Sequence, residues 1–483
     1  MADGTSEVPL ESAPPVAAPP PRRFSLVVTV FCSIVVALYI GLLGRPLIEP
    51  RVSPLAELDR PADSLDRLIT RELDLRAAMR GGLRWEWRLY RALSGDEDPV
   101  AEATGWFEEV LDADPSPAAE LSHAVLLGES GRTEKASEEI SRWDADSDVD
   151  QRMARWVSAA YLGPPPAAEA GRAMITEIST QRPSNWFTNT LVKRIAARIG
   201  DTGARARAEA AILARGRALL FRARLLMAVS LALVLLGVAA GVWMLARRPR
   251  GPIADAPLPP IWTGGEGYAL FVRALGAPQA IALAAFVILR RETGLGSLIG
   301  MAADLPLFLW VIGYLRARGS SMRDAMGLWP DRRRWSTLAA VWLVLVAVAL
   351  LGDALIELAS GYLRLKTHWT DGFTEELLWS SRRRVFLESF DASVWAPIVE
   401  EITFRGLLYG TLRTRLAMWP AALLSAAIFT LPHGYALAGS ASVFLSGILW
   451  AVAYERTRSV LPGLLAHSAN NALSTAWTLA MLR

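Results

Sequence analysis

Glu400 and Glu401 open the stretch Glu400-Glu401-Ile402-Thr403-Phe404-Arg405 inside an apolar segment, and His433 and His467 stand in the apolar segments that follow. An ionisable side chain inside lipid is expensive, so such residues mark a functional site by default. On a helix, residues four apart share a face, which pairs Glu401 with Arg405 and leaves Glu400 free for chemistry. The plainer account is that both acids cap an interfacial helix end. Pro397, just upstream, predicts a kinked or freshly started helix.

His433 follows Pro432 at the end of the run that contains Phe429, where a lone histidine is ordinarily a satisfied interface residue. His467 and Asn471 are four apart and share a face of a helix that Pro462 begins, a face that Asn470 fits less well. Two imidazoles, a free carboxylate and an amide carbonyl can bind a divalent metal such as zinc, or hold and activate a water. The expected ligand set is Glu400, His433, His467 and Asn471, and the expected catalytic set adds Glu401 and Arg405. His123 and His368 lie in polar sequence and need no special role.

The elements that must position these groups are membrane helices. Of 483 residues 52% are apolar, yet 20% are charged, so a water-soluble part shares the chain with the embedded one. A net charge of +3 gives no case for nucleic acid. Lysine occurs only at 135, 193 and 366, and this arginine bias points to a GC-rich bacterial genome. Cys32 is the single cysteine, which excludes an intrachain disulfide and a multi-cysteine metal site.

The predicted fold class is all-α, a polytopic transmembrane helix bundle preceded by a soluble helical domain. Residues 1–23 read as a disordered tail rich in Pro and Ala. Residues 24–44, behind Arg22 and Arg23, read as an uncleaved transmembrane anchor. Residues 45–222 form the soluble part, 223–266 a transmembrane helix with a Pro-rich linker, and 267–483 the embedded domain. The spans beyond the anchor are predicted at 225–246, 267–289, 295–315, 336–358, 392–411, 417–432, 440–454 and 461–481.

Pro115 and Pro183 lie 68 residues apart, twice the 34-residue period of a helix–turn–helix repeat, so the soluble part resembles a degenerate tetratricopeptide array, with an irregular helical domain as the alternative. The piece Ser321 to Leu328 is amphipathic and predicted to lie at the interface. Arg22 and Arg23 inside would place the soluble part outside, a pattern that Arg382 to Arg384 break.

Glu-Glu-x-x-x-Arg, Phe-x-x-x-His and His-x-x-x-Asn, in this order on successive apolar segments, resemble the three signatures of the CAAX-prenyl-protease and bacteriocin-processing family of intramembrane endopeptidases. The approach from Ala453 to Pro462 and the Arg323 to Leu328 piece are similar to that family too, and the likeness spans roughly 265–483. It implies that Glu400 is the water-activating acid and that Glu401 with Arg405 is the supporting pair. It further implies that His433 and His467 are the two site histidines, that Asn471 completes the site or steadies the oxyanion, and that Phe429 is the packing aromatic.

The activity implied is hydrolysis of membrane-associated or exported peptides by water that glutamate and histidine, or a bound metal, activate. A prenylated substrate is not indicated, because the composition fits a bacterium. The partners expected are a peptide or membrane-protein substrate, the lipid bilayer and a protein partner of residues 45–222, in a multi-pass protein of the cell membrane. The rival reading is a membrane scaffold or immunity protein with a peptide-binding repeat. A proton-coupled transporter lacks visible inverted repeats.

Overall fold

Within lipid every backbone polar group must find its partner inside the segment, which leaves the helix as the solution for a long apolar run. The computed structural model describes residues 24–43, 55, 58–94, 98–248, 251–289, 296–329, 334–363, 365, 368–370 and 372–483. The tail expected over 1–23 lies outside the described residues. Among the described residues all regular elements are helical.

Among the described residues six helices are long and apolar enough to cross a membrane: Leu26–Leu43, Thr202–Arg247, Gly264–Ala285, Leu298–Ala317, Trp335–Leu363 and Leu437–Thr457. This is a multi-pass membrane protein. The three other spans expected from sequence take a different form. Residues 382–412 form one unbroken helical run, and helices Met418–Thr430 and Leu461–Leu482 follow on either side of Leu437–Thr457. The first and last of these carry the charged and amide groups that lower their hydropathy. Met418–Thr430 has only 13 residues, a rise of about 20 Å against the roughly 30 Å of a hydrocarbon core.

The part expected to be soluble is a set of helices from Pro61–Arg80 to Trp186–Arg198, packed around Phe107, Leu126, Met153, Trp156, Phe187 and Leu191. Its helix starts are fixed locally. Asp98, Ser116 and Ser147 accept from backbone N–H groups of the first turn, and Asn185 with Thr188 makes a reciprocal capping box. The prolines expected to mark turns precede helices that begin at Pro117 and Trp186, with three more, Thr133–Ser141, Asp148–Tyr161 and Ala168–Gln181, between them.

The soluble and embedded parts share one helix. Thr202–Arg247 runs 46 residues without a break, about 69 Å at 1.5 Å per residue. Two glycines seat it. A Cβ at Gly216 would stand 2.0 Å from the Asp74 carbonyl oxygen, and one at Gly237 would stand 2.5 Å from that of Leu343, so each is a backbone-to-backbone approach that only glycine permits. Beside Gly216, Arg215 holds the fully buried Asp74 at 2.6 Å.

Chain direction sorts the loops into two ends. At one end the soluble part grips the segment that leads into the polar helical run: Glu375 accepts from the Asp59 and Arg60 N–H groups at 2.7 and 3.1 Å and from Ser64 Oγ at 2.7 Å. Trp369 enters the soluble core, and His368 Nε2 lies 2.9 Å from Glu109. Arg67 and Arg71 donate to the carbonyls of Leu482 and Arg483 at 3.5 Å. At the opposite end Ile253 N–H donates to Thr457 O at 2.9 Å and Val460 N–H to Met326 O at 3.0 Å. The amphipathic piece forms there as the short helix Met322–Met326, capped by Ser321, with Ala325 and Met326 buried. Arg382 to Arg384 stand at the soluble end, the side on which the arginine pattern fails.

Candidate active site

The polar run is not a regular α-helix. Its turns over Asp391–Trp395 and Glu401–Tyr409 are π-helical, with the α-helical turn Ala396–Glu400 between them. Pro397 has no N–H to give the ladder, and the wider turn before it accommodates that loss. Glu400 and Glu401 therefore straddle the junction between an α turn and a π turn, a kind of irregularity frequent at functional sites.

The expected pair forms despite the wider turn. Arg405 Nη1 is 2.9 Å from Glu401 Oε1, with the two side chains 1% and 0% exposed. The guanidinium also lies 4.2 Å over the Phe429 ring and donates to Gly447 O at 3.3 Å. The same Glu401 oxygen accepts from His467 Nδ1 at 3.0 Å. With a carboxylate oxygen as its acceptor, His467 donates through Nδ1, and its Nε2 is left facing Glu400 Oε2 at 3.7 Å. Trp450 stacks along the His467 ring with centroids 6.3 Å apart.

His433 is held in the same way by a different acceptor. Its Nδ1 is 2.9 Å from Phe429 O, a group that only accepts, so Nδ1 is protonated and Nε2 carries the lone pair. Phe429 packs edge-on between Phe404 and His433, at centroid distances of 5.0 and 4.9 Å. Asn471 donates through Nδ2 to Ala392 O at 2.9 Å, which ties the last helix to the first π turn.

A cleft of about 360 Å³ opens beside these groups, with Tyr39, Gln279, Asp304, Asp391, Glu400 and His433 on its wall. Glu400 and His433 face it directly. Glu401, Arg405, His467 and Asn471 are absent from its lining. Three wall residues escaped the sequence reading. Asp304 interrupts an apolar run, which is the signal that should have marked it; its carboxylate accepts from Trp395 Nε1 at 2.9 Å. Asp391 opens the first π turn. Tyr39 comes from the N-terminal anchor, which packs so closely on its neighbour that a Cβ at Gly276 would meet the Cys32 carbonyl oxygen at 2.8 Å.

The donor chemistry suits a divalent ion, since each histidine gives its Nδ1–H to an oxygen acceptor and keeps Nε2 for a ligand. As placed, no group of three or more His, Cys, Asp or Glu among the described residues is gathered closely enough to hold one.

Residues 382–473 match the family model described as Type II CAAX prenyl endopeptidase Rce1-like. The matched stretch contains Glu400, Glu401, Arg405, His433, His467 and Asn471. It agrees with the resemblance read from the three motifs. No curated protein and no solved structure matches the chain.

Proposed function

We propose that the protein is an intramembrane endopeptidase that hydrolyses peptide bonds of membrane-associated or exported peptides. The observation that carries the reading is the free carboxylate of Glu400 beside His433 in one cleft, with a buried Glu401–Arg405 pair and His467 behind it. A water between Glu400 and His433 Nε2 gives its proton to Glu400 while its oxygen adds to the scissile carbonyl carbon. As the carbon–nitrogen bond breaks, Glu400 returns that proton to the leaving amine. His467 Nε2, 3.7 Å from Glu400, is placed to accept from that carboxyl once it has taken the proton, and Glu401 fixes the ring of His467. Asn471 reaches the chemistry through the π turn it binds, a support role in place of the oxyanion role that the resemblance implies.

A metal-dependent form of the same activity is the second reading, favoured by the Nδ1 anchoring of both histidines. Glu400, His433 and His467 would hold the ion, which would lower the pKa of a bound water toward neutrality. The soluble part, a degenerate repeat in this reading, would present a peptide or a partner to the cleft. The test compares peptides released from membranes carrying the wild type with those from membranes carrying Glu400→Gln, with and without a chelator. Cleavage products that persist in the variant would sink the protease reading, and turnover that survives chelation would sink its metal form.

A further inference from the structure

The cleft beside Glu400 carries more negative charge than hydrolysis needs. Its wall holds three carboxylates, Asp304, Asp391 and Glu400, and neither a lysine nor an arginine. His433 supplies no counter-charge, because its Nε2 keeps the lone pair. Glu400 is the base of the proposed reaction. The two aspartates have no part in it.

Neither aspartate has a cation of its own. Asp304 Oδ2 accepts from Trp395 Nε1, a neutral donor, at 2.9 Å. The Asp391 carboxylate has no hydrogen-bond or ion-pair partner among the described residues, and the charges that bear on it are those of Asp304, Glu388 and Glu400. Arg405, outside the lining, is bound by Glu401 at 2.9 Å. Both aspartates are half-buried, and a carboxylate withdrawn from water without a counter-charge is costly.

A second observation also points to a missing ligand. Thr403 lines the same cleft, is 2% exposed, and has a hydroxyl without a hydrogen-bond partner. Thr430 and Thr457, also buried on helices, each donate to the carbonyl four residues back, at 2.8 and 2.7 Å. A buried polar group left unpaired is costly, so the wall around the aspartates is complete only with a polar ligand present. A compact metal ion does not suit the acids, since no three of the groups are gathered closely enough to hold one. A long side chain with a cationic end does, because its several N–H donors can reach carboxylates that stand apart.

We infer that Asp304 and Asp391 form a subsite of the cleft that takes a lysine or arginine side chain of the substrate. The inference rests on the protease reading and adds a substrate class to it. It also fixes a distance. Asp391 lies nine residues before Glu400, about 14 Å along the helix. An extended chain rises about 3.3 Å per residue, so the basic residue belongs within about four positions of the bond that is cut.

The experiment uses the full chain with Glu400→Gln in phosphatidylcholine nanodiscs, which separates binding from turnover and keeps both aspartates. The probes are three fluorescent peptides of one apolar sequence, with a lysine, a glutamine or a glutamate near the middle. The lysine probe should bind about tenfold more tightly than the glutamine probe, as two half-buried charge pairs allow, and the glutamate probe should bind weakest. Asp304→Asn with Asp391→Asn keeps the shapes and the acceptor for Trp395. It should bring the lysine and glutamine probes within about twofold of each other while the glutamine probe binds as before. Asp391→Asn alone should remove part of the preference, and it decides the matter if the double variant binds no probe.

Equal binding of the lysine and glutamine probes overturns the inference, as does a lysine preference that survives both substitutions. A preference for the glutamate probe that a chelator removes also overturns it, because the aspartates then hold a metal ion. A wild-type chain that cleaves none of the probes bears on the protease reading alone, since the binding measurement is independent of turnover.

Discussion

Glu401 has two partners for a single oxygen, Arg405 at 2.9 Å and His467 at 3.0 Å, and its other oxygen is buried without a hydrogen-bond partner. Such a residue can be probed for stability and chemistry separately. Arg405→Met leaves a carboxylate buried without its counter-charge, at a cost of about 3–5 kcal/mol. Pairing that change with Glu401→Leu should recover a large part of the loss in detergent melting. Activity should not return with it, because His467 no longer has an acceptor for Nδ1. Additive single and double effects on Tm would show that the pair is not coupled. Glu400→Gln should lower kcat by about 10²–10⁴ with little change in KM, as expected when a base is removed from a positioned water. A rate within a few-fold of the wild type would rule out Glu400 as the base. The Glu401–Arg405 pair was legible because four residues is a local spacing. The bond between His467 and Glu401 was not, since it spans 66 positions and depends on how two helices cross.

Among the elements, the polar helical run was visible as an apolar segment with charges in it, but its π turns were not, because nothing in residue type distinguishes i→i+5 from i→i+4 bonding over a few residues. Asn471 offers a way to test what those turns do. Asn471→Ala removes its bond to Ala392 O, worth about 0.5–1.5 kcal/mol of stability, and the freed turn carries Asp391 into the cleft wall. The expected result is a small fall in Tm with a larger fall in kcat, and a fall in Tm alone would assign Asn471 to stability only. The helices of the soluble part were legible from their prolines, yet their polar core was not. Asp66 accepts from Ser122 Oγ at 2.8 Å and Asn185 Nδ2 at 3.0 Å, and burial pushes its carboxyl up to about 6. Between its ordinary range and that value the folded chain keeps a proton that the unfolded chain has lost. Stability contributed by this part should therefore decline as pH rises from about 4 to about 6. Asp66→Asn should flatten that decline in melts of the full chain, and an unchanged pH profile would count against it.

Over the whole molecule, three features locate the chemistry relative to the soluble part. The cleft wall draws on Tyr39, Asp304 and Asp391, which lie near the ends of their helices closest to the soluble part, so the cleft opens in that direction. Glu375 couples the two parts through three accepted hydrogen bonds. Glu375→Ala should increase amide exchange and proteolysis over residues 368–381, and protection equal to the wild type would show that other contacts suffice. The third feature is the sorting of loops to two ends, which makes a strict statement about sidedness. Ser137 is exposed in the soluble part and Ala417 is exposed at the opposite end. With Cys32 replaced by Ser, cysteines introduced at these two positions must react oppositely with an impermeant thiol reagent in intact cells. Arginines 22 and 23 on the inner side would place the soluble part outside, and on that expectation Ser137→Cys should label before lysis and Ala417→Cys only after it. The reverse pattern would turn the molecule over without altering the fold, putting the mouth of the cleft on the cytoplasmic side. Labelling of both positions before lysis would contradict the arrangement of the helices themselves, because no set of spans that joins these loops in this order can leave both ends on one side.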